Sequence, residues 1–134
     1  MLQTESLQQA IASLQRALDE YHQAPSEFVR DACILRFGYT YDLAHKMLKR
    51  FLENTAANPA EIDGFSFQQL IRTGAERGLL ANSWDHWSDY RLARNITSHS
   101  YNEAKALEVF ARIPAFLNEA AYLLARLQDH AGDA

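Results

Sequence analysis

The segment RNITSHSY, Arg94 to Tyr101, sets an arginine, a histidine and a tyrosine within eight residues. Histidine is the side chain whose ordinary pKa, about 6.5, lets it accept and return a proton near neutrality. Arginine presents a fixed fork of donors that matches a phosphate and the charge developing on it. An Arg94–His99 pair could therefore cleave RNA without a metal. The imidazole would activate a 2′-hydroxyl against the neighbouring phosphate while the guanidinium steadies the pentavalent oxygens. Asn95 and Ser98 would add hydrogen bonds. The structural alternative is that Arg94 solvates a helix end and His99 caps it, where the dipole favours a cation.

Geometry limits the pairing. At about 100° per residue, Arg94 and Tyr101 point nearly the same way, with Ser98 beside them. His99 stands roughly 140° around from Arg94 on the same reckoning. An unbroken helix would keep the two from one small ligand. Either the helix ends near Thr97–Ser98 and His99 swings back, or two protomers share the site across a C2 axis.

The elements that must carry these residues read as helices throughout. The 134 residues fit a single domain over 1–134, long enough to bury a core. Five Gly and three Pro leave little turn chemistry. Leu7, Ile11, Leu14, Leu18 and Tyr21 recur at helical spacing. Ser26 is positioned to cap a long second helix, on which Phe28, Leu35, Tyr39, Leu43, Met47 and Phe51 form the expected buried stripe. Gly38 within it would permit a close helix approach. TAANPAEIDGFS reads as a loop, SFQQLIRTGAERGLL as a short helix ended by Gly78, and NSWDHWSDYRLARNITSHS as a fourth helix capped by Ser83 or Asn82. The last runs from about Asn102 to Gln128, with Ala104, Leu107, Phe110, Ala111, Leu117, Ala121, Leu124 and Leu127 as its apolar positions. Pro114 should kink or split it. The expected fold is all-α, an up-and-down antiparallel bundle of about five helices.

Composition narrows the function classes. Seventeen acidic against 13 basic residues give a net charge of −4, which argues against a general nucleic-acid coat but leaves room for a local basic cleft. The N-terminus has neither a basic segment nor an apolar core of a secretory signal, and no run is long enough for a bilayer. A soluble, cytoplasmic protein is expected. One cysteine, Cys33, excludes an internal disulfide and reads as a small core residue. Asp85, His86 and Asp89 are metal-ligand types, but no second His stands at i+4, so no metal site and no cofactor is expected. His45 reads as packing. Trp84, Trp87 and Tyr90 read as core or interface, with the Trp84 and Trp87 face as the expected dimer seam.

Arg94-x4-His99-x-Tyr101 matches the Rx4HxY motif of HEPN-domain proteins encoded beside minimal nucleotidyltransferases. LRFGYTYDLAHKMLKRFLE, IRTGAERGLL and WSDYRLARNITSHSYNE resemble, in order and spacing, segments of the nucleotidyltransferase substrate-binding protein family. The likeness covers roughly Leu7 to Leu127. It implies a helical bundle that forms a homodimer, with Arg94 and His99 of both protomers lining a cleft. It also implies a separate MntA-like nucleotidyltransferase partner. In toxin–antitoxin members the HEPN chain is a metal-independent RNase, and the nucleotidyltransferase silences it by adding AMP to the motif tyrosine, here Tyr101. An anionic adduct near Arg94 would occupy the phosphate site. The other role in this family is a non-catalytic subunit that binds substrate for the nucleotidyltransferase. The presence of both Arg94 and His99 favours the enzyme, because a scaffold needs no base.

Overall fold

The computed structural model describes residues 2–96 and 102–131. Among these the chain forms α1 (Glu5–Gln23), α2 (Glu27–Thr55), α3 (Pro59–Asp63), α4 (Phe67–Glu76), α5 (Trp84–Ile96) and α6 (Glu103–Ala131), with no strand. The all-α up-and-down bundle is thus as expected, but with six helices rather than five. The extra one is α3, inside the segment expected to be loop. Asn58 accepts from the Ala60 N–H at 3.2 Å, and Pro59 takes the first helical position, where its missing N–H costs nothing.

Local start and stop signals operate, at Ser26, Gly78 and Ser83 as expected and at Ser66 in addition. Ser26 accepts from the Val29 N–H at 3.1 Å to open α2. Ser66 and Gln69 form a reciprocal capping box on α4. Gly78, at φ +75°, lets the chain leave α4, with the Leu79 N–H returning to the Gly74 carbonyl at 2.9 Å. The Ser83 carbonyl accepts the first backbone bonds of α5.

The 29-residue helices α2 and α6 pack against each other, α1 lies on both, and α5 packs on α6, α4 and α2. The buried face of α2 differs from the expected one. Of the expected stripe, Met47 and Phe51 are buried and Leu43 half-buried, whereas Phe28 is 78% exposed, Leu35 70% and Tyr39 38%. The core side is instead Cys33, Phe37, Tyr41, Ala44 and Leu48. The first half of α2 is apolar on two faces, roughly 180° apart by helical geometry, and the packing of α1 and α6 selects one.

A similar shift occurs on α6. Val109, Ile113, Phe116, Ala120 and Leu123 join Leu117 and Leu127 in the core, while Ala104, Leu107, Ala111 and Ala121 are exposed. Pro114 does not split α6. It faces solvent, where the carbonyl it cannot bond can turn to water. Trp87 and Tyr90 are buried against Phe116 and Tyr41, so the core reading holds for them. Trp87 is therefore not available to a dimer seam, and Trp84 is half-buried against Phe67. Cys33 is buried as expected, and burial raises its thiol pKa.

Two polar clamps fix the chain on either side of α5. Buried Glu119 of α6 accepts from the Ala81 N–H at 2.7 Å and the Asn82 side-chain amide at 3.0 Å, which pins the turn leading into α5. Arg30, near the start of α2, meets Glu103 at the start of α6 through two bonds of 2.6 and 3.2 Å. The hydrogen bond to Glu103 raises the Arg30 pKa against the opposing effect of burial. Arg112 of α6 also holds Asp89 of α5 at 2.9 Å.

Candidate functional site

Arg94 stands in the last turn of α5 as described. Seven residues before it, on nearly the same helical line, is Trp87, and Tyr90 lies one turn back. Arg94 thus continues the line of Trp87 and Tyr90 along α5. Its guanidinium meets α2 rather than open solvent.

At the meeting point α2 offers Gly38 and Asp42. Gly38 is buried, and a Cβ built there would lie 3.5 Å from the Arg94 Cζ. The close approach expected of this glycine is real, but it admits a side chain rather than a helix axis. Asp42, one turn on, accepts two bonds in parallel, from Arg94 Nε at 3.2 Å and Nη2 at 3.0 Å. This fork-to-carboxylate pairing fixes the plane of the guanidinium. The hydrogen bond to Asp42 is the main reason that the Arg94 pKa is raised, partial burial opposing it.

Two hollows flank the ion pair and share both of its members. One, of about 290 Å³, is lined by Tyr41, Asp42, His45, Phe67, Arg91, Arg94 and Asn95. The other, of about 330 Å³, is lined by Asp31, Ile34, Leu35, Gly38, Tyr39, Asp42 and Arg94. The first is aromatic and cationic. His45 sits edge-on to Phe67 with centroids 4.6 Å apart, and the Arg91 guanidinium lies 5.2 Å from the centre of the same ring. Burial lowers the His45 pKa, Lys49 and Arg91 lower it further, and Asp42 acts in the opposite sense. Burial also pushes the Tyr41 hydroxyl up to about 12, so this wall of the hollow stays neutral at physiological pH.

Of the residues predicted from sequence, Arg94 and Asn95 line the first hollow. Ser98, His99 and Tyr101 lie outside the described residues, as does the expected helix end at Thr97–Ser98. His45, expected to pack, does so while also lining the hollow. Asp85, His86 and Asp89 do not assemble a ligand set. Asp89 is bound to Arg112, and no group of three potential metal ligands occurs among the described residues. Nor is any described helix long and apolar enough to cross a membrane. Sequence reasoning missed Asp42, Arg91 and Phe67. Asp42 carried a signal, being the one carboxylate in the run from Cys33 to Met47.

The model of a protein family described as nucleotidyltransferase substrate binding protein like matches residues 2–129. A curated Haemophilus influenzae protein named probable ribonuclease HepT is 39% identical over 95 residues, 71% of this chain. The match spans 64% of the length of that relative. A solved H. influenzae structure, described as revealing the fold of a substrate binding domain of a nucleotidyltransferase, superposes with a TM-score of 0.85. It is 32% identical and the superposition covers 94% of this chain and 99% of that one.

Proposed function

The chain belongs to the nucleotidyltransferase substrate-binding protein family, and from that premise we propose that it is the metal-independent RNase of a toxin–antitoxin module with a nucleotidyltransferase. Arg94 clamps the scissile phosphate and the charge that builds on it. His99 exchanges the proton of the 2′-hydroxyl and the leaving oxygen. Asn95 and Ser98 add hydrogen bonds, and Tyr101 is where the partner adds AMP to switch cleavage off. The observation that carries this reading is the Asp42–Arg94 pair. An arginine held in a fixed plane between two open hollows is pre-organised for a phosphate in a way that a solvated helix-end arginine is not. The named relative, a probable ribonuclease, supports the same reading.

The site is completed in a homodimer. Leu35 and Tyr39 line the second hollow beside Arg94, and with Phe28 they leave an exposed apolar stripe on α2. A second copy seated there would cover the stripe and bring two Arg94 side chains to one cleft. The test is RNA cleavage by the purified chain in EDTA, beside an Arg94→Ala/His99→Ala double variant, with the mass of both determined in solution. Cleavage by the wild type alone supports the nuclease. A folded dimer that leaves several RNAs intact makes this a substrate-binding subunit, in line with the substrate binding domain that the solved relative is described as.

A further inference from the structure

Arg91 precedes Arg94 by one turn and lines the same 290 Å³ hollow. Its situation is different. Arg30, Arg94 and Arg112 are each held by a carboxylate, whereas no ion pair among the described residues involves Arg91. What Arg91 has instead is an aromatic neighbour, Phe67, which is half-buried and met from another side by His45. Asn95, four residues after Arg91, adds an amide on the same face of α5. A guanidinium without a carboxylate partner, a half-buried ring at the wall of a hollow and an amide are the groups that hold one unit of a single strand by its phosphate and its base. The size agrees, since small-ligand sites begin near about 300 Å³. So does the spacing, because side chains three residues apart on a helix stand about 5–6 Å apart at Cβ, comparable with the step between neighbouring phosphates.

We propose that the Arg91–Phe67–His45 hollow is a nucleotide subsite beside the Arg94 phosphate position, with Arg91 on the adjoining phosphate and the base against Phe67. The proposal rests on the RNase reading for the identity of the strand. It gives the site a direction, because among the described residues Arg91 and Phe67 stand together on one flank of Arg94. The opposite flank is the hollow of Asp31, Leu35 and Tyr39, which adds a carboxylate rather than a second guanidinium. Arg91 is a binding residue here, not a base or an acid.

The experiment is a fluorescence-anisotropy titration of the full chain with a labelled single-stranded 2′-O-methyl RNA, which lacks the attacking hydroxyl and so is bound but not cut. Titrations run across a salt series. Arg91→Ala should weaken binding about tenfold and flatten the log–log salt slope by about 0.7, the share of one phosphate on a single strand. Arg91→Lys should keep most of the slope, and Phe67→Leu should weaken binding without changing it. Thermal melts check that each variant is folded; Arg91 is exposed, so its variants should melt as the wild type does. Wild-type affinity and slope in a folded Arg91→Ala protein overturn the subsite, as does absence of wild-type binding at low salt. Binding that depends on Arg91 in a chain that cuts no RNA would retain the subsite and remove only the nuclease.

Discussion

Asp42 and Arg94 lie 52 positions apart in the chain, yet their side chains meet through two parallel bonds between α2 and α5, at 3.2 and 3.0 Å. The pair joins the helix that carries the candidate site to the helix that runs through the bundle. Its stabilising value is small, since the Asp42 side chain is 57% exposed and that of Arg94 30%, and pairs of this kind contribute about 0–1 kcal/mol. Its value is orientation.

Asp42→Ala should therefore separate stability from activity. The melting temperature should move little, while the single-turnover rate of RNA cleavage falls between about ten- and a hundredfold, the scale of a misplaced catalytic group. The loss should appear in kcat rather than in KM. Unchanged cleavage would mean that Arg94 orients itself without Asp42.

Gly38 is tested by size. A methyl group there would sit 3.5–3.6 Å from the Arg94 guanidinium, ordinary contact distance. Gly38→Ala should fold, keep its activity and gain up to about 1 kcal/mol from helix propensity. Gly38→Leu should displace the guanidinium from Asp42, and with it most of the cleavage. Urea denaturation and the cleavage assay read the two effects. A Leu variant as active as the Ala variant would show that the glycine does not make room for Arg94.

Glu119→Ala removes the clamp on the turn before α5. It leaves the Ala81 N–H and the Asn82 amide without the carboxylate that now accepts from both. The expected cost is about 1–3 kcal/mol in chemical denaturation, with Glu119→Gln in between because its carbonyl still accepts. A change below half a kilocalorie would mean that water replaces the carboxylate without penalty.

These sites differ in how far the sequence discloses them. The helices were legible because their ends are local: Ser26, Gly78 and the Ser83 region act on neighbours within a turn. The inward face of α2 was not. Phe28, Leu35 and Tyr39 repeat as regularly as Cys33, Phe37 and Tyr41, and only the packing of other helices decides between them. Arg94 was visible through its spacing to His99. Asp42 stood out only as the lone carboxylate of its run; its pairing was not legible, because a partner 52 residues away leaves no local periodicity. Arg91 and Phe67 share that difficulty, each looking ordinary on its own helix.

His45 gives the bundle a pH dependence with a definite sign. Burial first, then Lys49 and Arg91, lower its pKa in the folded chain, while Asp42 on the previous turn partly offsets them. The unfolded chain keeps the ordinary value near 6.5. As pH falls through about 6.5, the unfolded state takes up a proton that the folded state refuses, and stability falls. This contribution is fully present above the ordinary value and is lost progressively as the pH drops toward the lower folded one. His45→Gln, which cannot titrate, should therefore lose less stability than the wild type between pH 7.5 and pH 5.5 in urea denaturation. Parallel losses in the two proteins would show that His45 titrates alike in both states, and that the hollow beside Arg91 does not exclude a charged imidazole.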